Sequence, residues 1–277
     1  MTGAATAGVT GNTAVPGMRW VARCGYVAEG VIYLLIGGLA LAAAFEPGRR
    51  PDGSKGALAK LGDAAWGGAM LTVLMVGLAA FVLWQLVQAF SDPEHRRDRW
   101  SAKRVSARLG FLLNAALHSV LVGAAAWRLF AFGGGEDGGR AQAHWTGLAM
   151  QLPLGRWGVA VTGVGVTVFG LFQLYLAAMP SKYERVDLTH TKLRGSIIAL
   201  GVLGFVARGV VFGLVGAFLV HAAWRRDAEK ATGIAGALAA LKRQPYGPWL
   251  LGAVAVGLMA YGVFQIAKAR YREIRAS

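Results

Sequence analysis

LGFVARGVVFG, residues 203 to 213, sets an arginine in the middle of an otherwise apolar run. A charged group in such a run is either a core residue with a partner or part of a membrane span whose ionisable groups face the protein interior. The rest of the chain decides between these. Of its 277 residues 55% are hydrophobic and 16% charged, and the mean hydropathy is +0.47, on the membrane side of ordinary globular composition. Runs apolar enough to cross about 30 Å of hydrocarbon need about 20 residues of helix. They occur near 20–45, 66–90, 106–130, 154–179, 195–222 and 247–270. The spans are rich in Gly and Ala, as closely packed membrane helices are. Trp20, Trp66, Trp84, Trp157, Trp249 and Tyr246 fall near span ends, where amphipathic rings favour the headgroup level. The first span has a basic flank and ALAAA at 40–44, but it is too long for a cleavable signal peptide.

An internal repeat organises these spans. RCGYVAEGVIYLLIGG (23–38), RLGFLLNAALHSVLVG (108–123) and VLGFVARGVVFGLVGA (202–217) align without gaps, superposing Gly25, Gly110 and Gly204 and the aromatics Tyr26, Phe111 and Phe205. The second helices also match. Gly67, Gly155 and Gly247 each precede Gly77, Gly165 and Gly257 by ten residues, and Gln85, Gln173 and Gln265 follow eight residues later. An aromatic precedes each Gln, and another stands three residues before that one: Phe81, Phe169, Tyr261. GALAKL (56–61), GLAMQL (147–152) and GALAAL (236–241) precede the second helices and read as interfacial helices. The expected architecture is all-α and integral to a membrane: six transmembrane helices as three parallel helical-hairpin repeats at about 19–92, 104–180 and 195–272, behind a disordered tail at 1–18.

These residues resemble the bacterial membrane proteins of domain-of-unknown-function family 1206. Its unit opens on R-x-G-aromatic-x-A-R-G-V-aromatic and closes on P-aromatic-G before the second span. The third copy carries the pattern as GFVARGVVF (204–212) and QPYGPWLLG (244–252), and the first as RCGYVAEGVIY (23–33). The middle copy departs, with Asn114 and Ala115 where the unit has Arg-Gly. The resemblance extends over nearly all the chain after residue 18 and implies no activity.

Arg208 can now be placed. Its repeat equivalents are Glu29 and Asn114, so one position holds a base, an acid and an amide. Glu29 lies six residues after Arg23, about 9 Å deep at 1.5 Å per residue, and Gln85, Gln173 and Gln265 reach a similar depth. Buried ionisable groups cost about 2.5–3.5 kcal/mol on insertion scales and normally pair. The sequence therefore predicts a Glu29–Arg208 contact, with glutamines or Asn114 completing its hydrogen bonds. One turn on stand Tyr33, His118 and Phe212, of which His118 is the group suited to change charge near neutral pH.

The net charge of +15 does not point to nucleic acid, because the basic residues are spread over seven short segments with acids interleaved. The densest run, HRRDRWSAKR (95–104), adjoins two spans and makes Arg96, Arg97, Arg99, Lys103 and Arg104 candidate contacts for anionic lipid headgroups. Lys and Arg number 16 on the side of the termini and 12 on the other, which predicts cytoplasmic termini; the family resemblance implies a bacterial cytoplasmic (inner) membrane. No catalytic motif occurs. The five histidines are dispersed and Cys24 is single, so neither metal nor cofactor is expected. GGGEDGG (133–139) reads as a flexible loop. The leading expectation is a non-catalytic scaffold or accessory protein that contacts lipid, a membrane partner or a second copy. The alternative is a channel or secondary transporter moving protons, ions or a small solute through the polar layer.

Overall fold

A computed structural model describes residues 16–91, 102–130, 146–180 and 193–271. Six long apolar helices account for most of it: α1 (Pro16–Phe45), α3 (Gly67–Ser91), α4 (Ala102–Phe130), α6 (Gly155–Ala178), α7 (Arg194–Arg225) and α9 (Gly247–Tyr271). Each is long and apolar enough to cross a membrane. The chain is a multi-pass membrane protein, all-helical among the described residues. Residues 16–18, expected in the tail, form the first turn of α1. The rest of the tail, the 133–139 loop, Arg96, Arg97 and Arg99 lie outside the described residues. Lys103 and Arg104 belong to α4 by their backbone alone.

Short helices precede each second span: α2 (Ser54–Gly62), α5 (residues 146–151) and α8 (Ile234–Lys242). The turn that follows explains the aligned glycines at 67, 155 and 247. A Cβ there would collide with the carbonyl oxygens of Gly62, Ala149 and Lys242 respectively, so only glycine lets the chain reverse so tightly.

Each short helix reaches to the next copy in cyclic order. Lys242 at the end of α8 donates from Nζ to the carbonyls of Ala43, Glu46 and Arg49, at 2.5, 2.9 and 2.8 Å. A cation there satisfies orphan carbonyls at and beyond the end of α1 and complements its dipole. Beyond α2, Asp63 accepts from Arg128 Nη2, in the last turn of α4, at 2.6 Å. A Cβ on Gly147 of α5 would lie 3.5 Å from that of Ala228, just past α7.

Between copies, the spans meet along three equivalent seams: α3 with α4, α6 with α7, and α9 with α1. The same edge-to-face ring pair closes each one, at equivalent positions. These are Phe81–His118 at 4.8 Å, Phe169–Phe212 at 5.3 Å and Tyr261–Tyr33 at 4.8 Å between centroids. Such pairs add about 0.5–1.5 kcal/mol beyond area burial.

Within copies, the contacts differ. In the first hairpin a Cβ on Gly25 would lie 2.6 Å from Phe81 Cα, and one on Gly77 2.5 Å from Ala28 Cβ. In the third the same contacts recur, Gly204 with Tyr261 Cα at 2.6 Å and Gly257 with Ala207 Cβ at 2.5 Å. In the middle hairpin the nearest atom to a Cβ on Gly110 is a Phe172 ring carbon at 4.0 Å, and Gly165 has nothing within 4 Å. α4 and α6 therefore stand apart, each packed on a neighbouring copy. The residue equivalent to Ala28 and Ala207 is Leu113, too large to fit against a glycine where a methyl group fits. The six helices form a ring that is open between α4 and α6.

Trp84 also departs from the sequence reading. Trp20, Trp66, Trp157, Trp249 and Tyr246 are exposed, as boundary residues should be, but Trp84 is 0% exposed. It packs with Ala22, Tyr26, Phe81 and Ala269, and its Nε1 donates to Tyr26 Oη at 2.9 Å. A buried indole needs such a partner. The tyrosine hydroxyl across the hairpin supplies it.

Candidate functional site

Glu29, Asn114, His118 and Arg208 are buried where the odd-numbered strokes of the repeat, α1, α4 and α7, face one another, and Gln85, Gln173 and Gln265 are buried on the even strokes. Glu29 is 0% exposed and Arg208 2%, so their charges meet no solvent and must be compensated within the protein. Arg208 Nη1 lies 3.6 Å from Glu29 Oε1. Tyr261 ties the two together: its hydroxyl accepts from Arg208 Nη1 and donates to Glu29 Oε1 at 3.2 Å. Gln265 Nε2 donates to the other carboxylate oxygen, Oε2. Asn114 Oδ1 accepts from Arg208 Nη2 at 3.3 Å. The carboxylate from the first copy and the guanidinium from the third thus share an ion pair, with groups from α4 and α9 supplying further hydrogen bonds.

The guanidinium is also boxed by aromatic rings. Its central carbon lies 4.3 Å from the ring centroid of Tyr261, 5.0 Å from Tyr33, 5.3 Å from Phe212 and 5.8 Å from Phe169. These distances are within the range of cation–π attraction, which strengthens where water is excluded. The gap beside Arg208 between Tyr33, Ile36, Val211, Phe212 and Leu258 is too narrow for a water molecule.

His118 enters from α4. Its Nδ1 lies 2.8 Å from the Asn114 carbonyl oxygen. A carbonyl only accepts, so Nδ1 carries the hydrogen. Nε2 then faces Glu29 Oε1 at 3.7 Å, as an acceptor in the neutral ring and a donor in the imidazolium. The Asn114 carbonyl thereby fixes which nitrogen meets the carboxylate.

Not every predicted member joins. Among the described residues no hydrogen bond links Gln85 or Gln173 to the cluster, and Gln173 Nε2 is buried without a partner. The seams give the reason for Gln173. Gly262, one turn before Gln265, packs on Gly30 of α1, and Gly170, one turn before Gln173, packs on Gly209 and Gly213 of α7. Gln265 thus meets a carboxylate, an acceptor for its Nε2. Gln173 lies instead on the seam with α7, whose residue at the position of Glu29 is Arg208, so no carboxylate faces its Nε2.

The sequence reading did not place Tyr261 in the site. The signal was available, because Tyr261 lies four residues before Gln265 on one helix face and adds a hydroxyl where the other copies have Phe81 and Phe169. No group of three or more His, Cys, Asp or Glu able to hold a metal occurs among the described residues.

Three segments, residues 24–92, 105–179 and 203–272, match the family described as Domain of Unknown Function (DUF1206). The chain belongs to the DUF1206 family. Its three matched segments are the three copies whose seams are described above, so the family unit is one pair of spanning helices with its interfacial helix. The chain is also similar to the uncharacterized protein YxxB of Bacillus subtilis (strain 168), 32% identical over 265 residues that cover 94% of this chain and 93% of that protein. Similarity over such a length includes all three DUF1206 copies. No solved structure matches the chain.

Proposed function

We propose that this protein is a non-catalytic scaffold or accessory protein embedded in a bacterial cytoplasmic (inner) membrane, with cytoplasmic termini, which contacts lipid or a membrane partner. The observation that carries this reading is the closed state of the polar layer. The Glu29 carboxylate is held by Arg208, Tyr261 and Gln265, and the adjoining gap is too narrow for water. A conduction path needs groups that a solute or proton can reach and leave. An ion pair locked into aromatic walls suits a registry role, in which one buried polar contact fixes how three similar hairpins are ordered. The excess of Lys and Arg on the side of the termini supports the orientation.

The test is a reconstituted pH-gradient flux assay on the wild type and Glu29→Gln. No flux above protein-free liposomes is expected from either. Wild-type flux that Glu29→Gln abolishes would replace the scaffold with a transporter.

A further inference from the structure

α4 is the spanning helix with the least holding it in place. Among the spanning helices α1, α3, α7 and α9 are each packed between two others, whereas α4 packs on α3 and has the gap before α6 on its other side. Its seam also lacks the close approach of the other two. At α9/α1 a Cβ on Gly262 would lie 2.6 Å from the Gly30 carbonyl oxygen, and one on Gly37 2.8 Å from that of Ala255. At α6/α7 Cβ atoms on Gly170 and Gly216 would lie 2.9 and 2.6 Å from the carbonyl oxygens of Gly209 and Gly163. The equivalent residues at α3/α4 are Val82, Ala115, Val122 and Met75, so each glycine of those contacts is replaced by a residue whose side chain holds the backbones apart. α6, the other edge of the gap, is locked on α7 by its glycines; α4 has no such lock.

What ties α4 to the centre of the ring is polar: Asn114 accepts from Arg208, and His118 lies against Glu29. His118 is faced by the Phe81 ring from α3, by Glu29 from α1 and by Arg208, the cation paired with Glu29, from α7; Tyr33 and Tyr261 are the other titratable groups of the layer. With the imidazole and both tyrosines neutral, the layer holds one anion and one cation and its net charge is zero. Both oxygens of the Glu29 carboxylate already have donors, Tyr261 and Gln265. The basic atom left without a hydrogen-bond partner among the described residues is His118 Nε2. A proton added there gives one carboxylate oxygen two cations to answer, Arg208 at 3.6 Å and His118 at 3.7 Å, and leaves a net positive charge where no solvent reaches. Parting α4 from the ring relieves the repulsion between the two cations and lets water follow the separated helix faces to the imidazolium. We propose that α4 is a proton-operated arm of the ring: protonation of His118 at Nε2 releases it from the polar layer, and deprotonation docks it again. The docked form binds one proton fewer than the released form, so docking strengthens as the pH rises and is lost as it falls. This goes beyond the scaffold reading, to which it adds a change of shape.

The experiment measures the distance between α4 and α9 in the full chain in nanodiscs. Spin labels are placed on Val120→Cys and Val256→Cys, both exposed positions, in a Cys24→Ser background, and distances are read by double electron–electron resonance from about pH 8 to about pH 5, a range that brackets the ordinary histidine titration. A second, longer distance is expected to appear in acid, its ratio to the docked distance rising about ten-fold per pH unit at most, the slope of one proton, and to vanish when the pH is restored. His118→Phe puts at this position the residue that the third copy has as Phe212. It keeps a ring against Phe81 and removes the titration, so its distance distribution should not change with pH. His118→Gln makes the same test without a ring. A wild-type distribution that does not change over this range would overturn the proposal, as would an acid response that survives in either variant. So would a distance that shortens in acid, since the imidazolium would then be drawing α4 onto Glu29. The readout is a distance and not a flux, so this proposal and the scaffold reading fail separately.

Discussion

Replacing Glu29 with Gln keeps the shape of the side chain and removes its charge. Arg208, 2% exposed, then keeps Tyr261 and Asn114 as acceptors and its ring box, but has no counter-ion. Removing one partner of a buried pair costs about 3–5 kcal/mol, because the remaining charge is stranded. At about 2 °C per kcal/mol for a chain near this size, thermal unfolding in detergent should fall by roughly 6–10 °C. The double variant Glu29→Gln/Arg208→Met separates a stranded charge from lost packing. With both charges gone, the polar remnants Tyr261, Asn114 and Gln265 can bond among themselves, and replacement of a buried pair by apolar groups is often neutral or stabilising. Most of the lost stability should return. The assay is unfolding followed by the near-ultraviolet signal of the buried aromatics, with wild type, both single variants and the double variant in the same micelle. A Glu29→Gln protein that melts with the wild type, or a double variant no more stable than Glu29→Gln, would refute the assignment of the layer as an interdependent buried pair.

The other expectations concern the backbone contacts that the copies share and do not share. Gly204→Ala places a Cβ 2.6 Å from Tyr261 Cα and must push two helices apart, at about 1–3 kcal/mol. Its equivalent Gly110→Ala meets only a Phe172 ring carbon at 4.0 Å and should melt within a degree or two of the wild type; equal losses from the two would contradict the open middle hairpin. Lys242→Met removes three hydrogen bonds to carbonyls at and beyond the end of α1 and should cost about 1–2 kcal/mol of stability. Limited proteolysis of the 46–53 connection should then speed up, and an unchanged cleavage rate would count against the role of Lys242 as an inter-copy strap.

The sequence discloses the spans and the copies because both rest on composition and period, which survive without knowledge of packing. Arg208 was legible for a related reason. A guanidinium in an apolar run has so few affordable environments that its partner could be sought among the repeat equivalents, and Glu29 was the available acid. The failures occur where an outcome depends on which neighbour a residue meets. Gln85, Gln173 and Gln265 are identical in register, but Gln265 faces the Glu29 carboxylate across its seam, whereas Gln85 and Gln173 lie on seams with α4 and α7, which carry Asn114 and Arg208 at that position. Trp84 has the same flank position as boundary tryptophans, and only the hydroxyl of Tyr26 across the hairpin makes its burial affordable. Leu113 is an ordinary apolar residue until its counterparts are seen as the two alanines that let the other hairpins close.

These cases share one physical logic, in which the seams between copies carry the symmetry and the hairpins carry the differences. The edge-to-face ring pair recurs at all three seams although its members change from Tyr to Phe to His, since any flat ring satisfies the geometry. The hairpin contact tolerates far less, because a glycine opposite an alanine admits no added carbon. A single enlarged residue in the middle copy therefore opens one hairpin and leaves all three seams intact. The polar layer follows the same division. Glu29 and Arg208 belong to copies joined at the α9/α1 seam, and Tyr261 and Gln265 come from the helix between them, so the charged pair sits where the ring is closed. Asn114, an uncharged group that leaves no ion to compensate, comes from the copy whose hairpin is open. An acid or base at that position would need a counter-charge from a hairpin whose helices do not touch, and the amide is the one of the three residue types whose burial there requires only hydrogen bonds.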